Sequence, residues 1–199
     1  MELSNAHNNL RQYLRLANWG GLAAIYLNGA RGNLMQYIRA SDGVGSGVRM
    51  SSNSDYNVLL HSIVNNTDDA IYIQSSHSNF VAASTTANTA NDAGIQLENA
   101  NYNFLMNNAA INAPQGFKAE TNSSRTTLIH LAAVATNNPV YMNNSSNNFL
   151  GGAMLFDASP CFVSGGTLPA IQDTSCATES GAAPVFSLIT TADASAAFV

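Results

Sequence analysis

The chain has 199 residues, enough for one sizeable domain. Only 10% of them are charged and the net charge is −5, whereas roughly 25% charged residues are usual in soluble domains. This balance argues against a nucleic-acid partner, because no basic stripe is available to displace the counterions of a phosphate backbone. No apolar run reaches the roughly 18 residues of a membrane span, and the polar sequence after Met1 predicts no signal peptide.

The range 1–24 is predicted to form a first coil or an N-terminal cap. Asn9 is in phase with the repeat that follows, but Arg11 stands where an inward apolar residue is expected. One face of a helix would instead collect three apolar residues, namely Leu10, Leu14 and Ala17. A capping helix would protect the open end of the repeat from edge pairing. An irregular first coil is equally compatible with the pattern.

A short sequence repeat dominates the range 25–160, with a period of roughly 23 residues that is typical of solenoid proteins. Successive segments start at nearly equal intervals, at Ile25, Val48, Ile71, Ile95, Phe117 and Val140. A second apolar residue follows two positions later, with a polar residue between, which predicts a strand with one buried face. A second strand is indicated by another apolar position: Met35, Leu59, Val81, Leu105, Leu128 and Leu150.

Asparagine precedes most of these second strands, at Asn33, Asn57, Asn79, Asn103 and Asn148, with Thr126 in one coil. Asparagine tolerates the left-handed bend that joins two strands at a sharp corner, and stacked amides can bond along an axis. These features predict an all-β fold, a right-handed single-stranded parallel β-helix of about six to seven coils.

With this pattern the chain resembles the right-handed parallel β-helix repeat family, with its NosD-like and pectate-lyase-like folds, from about Ile25 to Pro160. The remaining residues, 161–199, are expected to form a C-terminal cap or tail of a chain truncated at both ends. Cys161 and Cys176 enclose fourteen residues, and in an oxidising compartment a disulfide between them would contribute roughly 3 kcal/mol. This tail resembles that of some bacterial cell-surface proteins, so a secreted or cell-surface location is expected.

Outward residues of the first strand are predicted to form a polar strip. It runs through Tyr26, Arg49, Tyr72, Gln96, Lys118 and Tyr141, with Gln74, Glu98 and Glu120 two positions further along their strands. Tyrosine rings offer flat faces to sugar rings, while amides and carboxylates bond hydroxyl groups. The predicted carbohydrate-binding residues are therefore Tyr26, Arg49, Tyr72, Gln74, Glu98, Lys118, Glu120 and Tyr141. The alternative is a solvated sheet face, in which tyrosine is simply a good strand former.

Catalytic carboxylates are sought first in the same strip. Glu98 and Glu120 lie on adjacent coils at about 5 Å, the separation found in retaining glycosidases, but a surface salt bridge with Lys118 explains the trio equally well. These carboxylates could bind a surface calcium ion, and neither a metal site nor a cofactor is otherwise predicted.

A second candidate pair comes from a family resemblance. The segment "TDDAIYI", which contains Asp68 and Asp69, resembles the "GDDCIAI" segment of polygalacturonases. That family's Gly-His-Gly element has no counterpart here, and only Lys118 remains of its Arg-Ile-Lys element. Aspartate readily makes turns through its own backbone, so these two acids are predicted to form a corner.

Three functions follow from these observations. The first is a non-enzymatic, secreted or cell-surface domain with a structural or adhesive role, which presents its polar strip to carbohydrate. The alternative is a polysaccharide hydrolase or lyase that uses the strip, with Glu98 and Glu120 or Asp68 and Asp69 as its acids. The third is a fibre or spacer segment. The oligomeric state is not predicted.

Overall fold

The computed structural model describes residues 1–134, 136–156, 162–164, 170–172 and 175–177, and these form strands and turns without any helix. The strands make three parallel sheets of eight strands each, and each coil contributes one strand to every sheet. Sheet 1 contains β1 (Glu2–Ser4), β4 (Ala23–Asn28), β7 (Ser46–Ser51), β10 (Ile71–Gln74), β13 (Ala93–Glu98), β16 (Gln115–Glu120), β19 (Asn138–Met142) and β22 (Phe162–Ser164).

Sheet 2 contains β2 (Leu10–Gln12), β5 (Leu34–Gln36), β8 (Val58–Leu60), β11 (Phe80–Ala82), β14 (Phe104–Met106), β17 (Thr127–Ile129), β20 (Phe149–Gly151) and β23 (Ala170–Gln172). Sheet 3 contains β3 (Arg15–Ala17), β6 (Arg39–Ser41), β9 (Ile63–Thr67), β12 (Thr85–Thr89), β15 (Ala109–Ile111), β18 (Ala132–Val134), β21 (Met154–Phe156) and β24 (Ser175–Ala177). The predicted parallel β-solenoid is confirmed.

The core lies between the three sheets and is built from stacked, like-placed residues. The predicted register of sheet 1 is observed, because Val48 pairs with Ile71 and Ile71 with Ile95. All three side chains are completely buried. Burial of one such aliphatic side chain contributes roughly 1.5–3 kcal/mol, and the period repeats that contribution in every coil.

Sheet 3 is the element that the periodicity does not reveal. Its inward positions hold small or polar residues as often as large apolar ones: Ala40, Val64, Thr86, Ala110, Ala133 and Leu155. All of them are buried. Alanine and threonine do not mark a strand by hydrophobicity alone, so the pattern predicts only two strands per coil.

The first segment is built as a coil, because β1, β2 and β3 pair with β4, β5 and β6. Arg11 pairs with the inward Met35 in this register, and its guanidinium reaches the carbonyl of Leu10 at 3.1 Å. Leu10 itself is 51% exposed. The apolar residues that suggested a helical face are therefore distributed over strands and corners of an open-ended coil.

The asparagines before sheet 2 form a buried ladder, but they do not adopt the left-handed bend that was predicted for them. The residue with positive φ is the one before, for example Tyr56 at 58° and Ser78 at 55°. Each asparagine Oδ1 instead accepts the backbone N–H of the preceding coil, at 2.8 Å from Asn57 to Asn79 and at 2.9 Å from Asn79 to Asn103. The ladder thus satisfies backbone donors that a corner would otherwise bury unpaired.

Beyond Pro160 the three sheets continue, because β22, β23 and β24 pair with β19, β20 and β21. These three strands lie within the range 161–199, whose role as a C-terminal cap or tail stays a prediction. Cys161 lies outside the described residues and only the backbone of Cys176 is described, so the disulfide stays a prediction. Within the described residues, no helix has the length and hydropathy needed to cross a membrane.

Candidate functional site

The outward face of sheet 1 gathers most of the predicted strip into two linked clusters. Register places Arg49, Tyr72, Gln96 and Lys118 in one row across four strands, while Gln74, Glu98 and Glu120 form the next row. Tyr26 and Tyr141 lie at the ends of the first row. Tyr26 accepts a hydrogen bond from Ser51 at 3.0 Å, and Tyr141 has no side-chain hydrogen bond among the described residues.

The first cluster ties a tyrosine to a carboxylate. Tyr72 donates its phenolic hydrogen to Glu98, and the guanidinium of Arg49 lies 4.7 Å from the Tyr72 ring centroid. Gln74 connects Arg49 to Glu98, because its Oε1 accepts from Arg49 at 2.6 Å and its Nε2 lies 3.3 Å from Glu98. Tyr72 is only 8% exposed, so it cannot offer the flat sugar-stacking face that the sequence suggested.

Burial and the hydrogen bond to Glu98 both raise the pKa of Tyr72 above its ordinary value. A phenol in this state remains protonated at neutral pH. Tyr72 therefore serves as a hydrogen-bond donor to Glu98 and not as a base.

The second cluster is centred on a lysine whose side chain is only 14% exposed. Nζ of Lys118 lies 2.7 Å from Asp92 Oδ2 and 3.1 Å from Glu120 Oε1. Gln96 donates to the same oxygen of Glu120 at 2.8 Å. Burial alone would lower the pKa of Lys118, but the hydrogen bonds to Asp92 and Glu120 outweigh it and the net shift is upward. Lys118 is therefore a permanent cation that bridges two carboxylates.

The adjacent acids Asp68 and Asp69 have different environments. Asp68 belongs to a corner, because its carboxylate accepts from the Gly45 N–H at 3.0 Å and from the Asn91 amide at 2.8 Å. Asp69 lies two residues before β10, where burial raises its pKa to about 6. The charge of Asp92 adds to that shift, whereas Lys118 opposes it.

Asp92 and Gln115 belong to this site although the sequence did not single them out. With its amide oriented to donate, the Gln115 nitrogen lies 2.7 Å from Asp92 Oδ1. A signal was available for Asp92, because it follows Asp68 by one period and so shares its offset in the repeat. Its place beside Lys118 depends on side-chain reach around a corner, which the repeat alone does not specify.

The site as a whole is acidic. Four carboxylates, those of Asp69, Asp92, Glu98 and Glu120, face only two cations, Arg49 and Lys118. Among the described residues, no group of three or more histidine, cysteine, aspartate or glutamate side chains is arranged to hold a metal ion, so the surface calcium stays a prediction. The arrangement suits proton transfer, because the pKa of Asp69 is raised to about 6 beside the fixed charge of Lys118.

No protein-family model matches the sequence, and no curated protein sequence matches it significantly. Solved structures do share its fold. The periplasmic alginate epimerase AlgG superposes with a TM-score of 0.62 at 14% identity, covering 86% of this chain and 47% of its own. An alginate lyase from Paenibacillus sp. str. FPU-7 gives 0.60 at 12% identity, covering 88% and 78%. DFA-IIIase from Arthrobacter chlorophenolicus A6 gives 0.52 at 10% identity, covering 83% and 53%.

These likenesses concern the fold. They confirm the resemblance to parallel β-helix proteins, while the narrower likeness to NosD-like folds stays a prediction. The chain spans about half the length of the alginate epimerase that it matches.

Proposed function

We propose that this chain is a polysaccharide-active domain that hydrolyses a neutral polysaccharide on the outward face of sheet 1. The observation that carries the proposal is Asp69, whose half-buried carboxyl has its pKa raised to about 6 beside the ion-paired Asp92 and Lys118. A carboxylic acid that titrates near the working pH is suited to protonate a leaving glycosidic oxygen.

Asp92 is the proposed partner of Asp69. Extending the register of β10 and β13 by two residues places Asp69 opposite Ala93, so that Asp92 is one residue away on the neighbouring coil. On standard strand spacings their Cα atoms are about 6 Å apart. We assign Asp92 the role of nucleophile, as in retaining enzymes, which hold their two carboxyl groups closer together than inverting enzymes do. Lys118 and Gln115 hold the Asp92 carboxylate in position for attack on the sugar.

The charge of the site favours a neutral substrate. A polymer with a carboxylate on every residue would meet four carboxylates and only two cations, both already engaged by Asp92, Glu120, Tyr72 or Gln74. The second candidate is a lyase acting on an acidic polysaccharide, for which Lys118 and Arg49 would exchange their present partners for the carboxylates of the substrate. Structures of an alginate epimerase and an alginate lyase share the fold, which is compatible with either candidate.

The structural or adhesive role that was expected first has no support of its own from the fold comparisons. Enzymatic activity explains Asp69 better, because a merely adhesive face has no use for a half-buried acid of raised pKa. A secreted or cell-surface location belongs to the same proposal. It rests on the low charge of the chain and on the periplasmic description of one fold neighbour.

The test is release of reducing ends from a panel of neutral polysaccharides, with alginate and pectate as acidic controls. Asp69→Asn is expected to lower the rate by roughly 100-fold or more, while Asp68→Asn, the neighbouring corner acid, keeps it within a few-fold. An unsaturated product from an acidic polymer would favour the lyase. Equal rates for the wild type and Asp69→Asn, or no release from any polymer, would contradict the proposal.

A further inference from the structure

In the second coil, the corner between sheets 1 and 2 has glycine at two positions. One position of this corner has positive φ in each fully described coil and holds Asn8, Gly32, Tyr56, Ser78, Tyr102, Arg125 and Asn147 in succession. Another such position, directly after the strand of sheet 1, holds Gly29 in the second coil. The second coil is thus the one with glycine at both positions, and two side chains are missing from an otherwise continuous surface.

A cleft of about 760 Å³ lies at these glycines. The coil before contributes Asn5, His7 and Asn8 to it, and the coil after contributes Ser52, Asn53 and Tyr56. The amides of the first coil reach into the vacated space, because a Cβ on Gly29 would stand 2.6 Å from Asn5 Oδ1 and one on Gly32 would stand 2.5 Å from Asn8 Oδ1.

The amides in this cleft differ from those of the buried ladder. Asn33 and Asn57 are both engaged by neighbouring coils. The side-chain amides of Asn5, Asn8 and Asn53 are exposed and make no hydrogen bond within the part of the chain that the structure describes. Each therefore retains an acceptor oxygen and two donor hydrogens for a ligand.

Tyr56 is the second unusual group. It is 65% exposed, and its positive φ, here 58°, is shared by the equivalent corner residue of the other fully described coils. Tyr102 occupies the same corner position two coils later, but there Arg125 covers the ring at 5.2 Å and donates to the hydroxyl. Tyr56 has no ring or guanidinium stacked on it among the described residues, so its faces are available.

The charges of the cleft are nearly balanced. Arg31 is tied to Asp55 at 3.3 Å and donates from Nε to the Asn53 carbonyl at 3.1 Å. Free amides, one uncovered tyrosine ring and a neutralised cation suit a ligand that is rich in hydroxyl groups and carries no net charge.

We infer that this cleft is a second saccharide-binding site, which takes a neutral oligosaccharide segment between Asn5 and Asn8 on one side and Tyr56 on the other. The inference rests on the proposed function in its choice of a saccharide. It goes beyond that function because the cleft lies at the corner between sheets 1 and 2, and neither Asp69 nor Lys118 is among the residues that line it. A chain held there would be anchored away from the bond that is cleaved.

The test measures binding of neutral hexasaccharides (gluco-, xylo- and manno-oligosaccharides) by titration calorimetry to full-length protein carrying Asp69→Asn, which prevents turnover. Adding Tyr56→Ser, which copies the serine of the next coil at this position, should weaken binding about tenfold. Tyr102→Ser is the matched control and should leave the affinity unchanged. Gly32→Asn keeps a φ of 65° that asparagine can adopt, but its Cβ would stand 2.5 Å from Asn8 Oδ1 and displace that amide, so it should fill the cleft and also weaken binding.

Unchanged affinity in both Tyr56→Ser and Gly32→Asn would overturn the inference, as would the absence of binding by any hexasaccharide. Equal losses in Tyr56→Ser and Tyr102→Ser would overturn it too, because a general loosening of the corner would then be responsible. These outcomes are separate from the hydrolysis test. If the wild type releases reducing ends but binds no hexasaccharide, only the proposed saccharide site in the cleft is contradicted. If it binds hexasaccharide but releases no reducing ends, only the proposed hydrolysis is contradicted.

Discussion

Replacing Asp69 by asparagine is expected to stabilise the protein at neutral pH while it removes activity. Burial raises the pKa of this carboxyl from 3.8 to about 6, so the native state holds the proton more tightly than the unfolded chain does. The stability that this group contributes is fully present below pH 3.8 and is lost as the pH rises through about 6. Above that pH the folded protein carries a poorly solvated charge that asparagine would not have.

The magnitude follows from the size of the shift. Each pKa unit corresponds to roughly 1.4 kcal/mol, so the change to about 6 sets an upper limit of roughly 3 kcal/mol. Asp69 is only partly buried, and water screens its interaction with Asp92, which reduces the expected gain to about 1 kcal/mol. Asparagine has nearly the same shape, so packing around β10 should be unaffected.

The assay is urea unfolding of the wild type and Asp69→Asn at pH 3.5 and pH 7. The variant should be more stable by about 1 kcal/mol at pH 7 and equal to the wild type at pH 3.5. Asp68→Asn is the matched control. It weakens charge-assisted bonds to Gly45 and Asn91, so it should lose about 0.5–1.5 kcal/mol at pH 7. A destabilised Asp69→Asn at pH 7, or a gain of the same size at both pH values, would refute the reasoning.

Three further outcomes are expected. Asn57→Ala should lower the free energy of unfolding by about 2–4 kcal/mol, because the buried backbone N–H and side-chain amide of Asn33 and the carbonyl of Ala30 lose their bonds to the Asn57 amide; a change below about 1 kcal/mol in chemical unfolding would count against the ladder. Gly47→Ala should cost at least about 1–3 kcal/mol, since a Cβ there would lie 2.1 Å from Val64 Cγ1, and an unchanged melting temperature would contradict this packing. Lys118→Met removes a charge that lowers the pKa of Asp69. The proton-transfer step in the pH–rate profile should therefore move to higher pH. A profile that stays in place would show that Lys118 does not affect the pKa of Asp69.

The solenoid was predictable because every coil buries apolar side chains at equivalent positions of the repeat. Ile71 and Asn79 have equivalents one period before and after, so a single alignment of the chain to itself identifies sheets 1 and 2 and their register. Sheet 3 was not predicted, because stacked alanines and threonines such as Ala110 and Thr86 fill a narrow part of the core. Their burial comes from the closeness of the neighbouring sheets, which is not encoded in their own hydrophobicity.

The candidate site was predictable only as a strip. Equal offsets place Arg49, Tyr72 and Lys118 on one outward face, since parallel strands in register bring like positions together. The same offsets cannot show that the Tyr72 ring is covered by a guanidinium, because that depends on how two long side chains fold over each other. For the same reason, the sequence suggested a sugar-stacking face at Tyr72, where the structure has a buried ring that is hydrogen-bonded to Glu98.

The different environments of Asp68 and Asp69 could not be inferred from the sequence. By itself it determined that Asp68 and Asp69 precede a buried strand, and that a corner must lie there. Only the tertiary structure decided that the Asp68 carboxylate binds the corner's own backbone, while Asp69 lies half-buried beside Asp92 and Lys118. The physical reason is that a pKa depends on the solvent and the charges around a group. At a corner, those are set by where the chain turns.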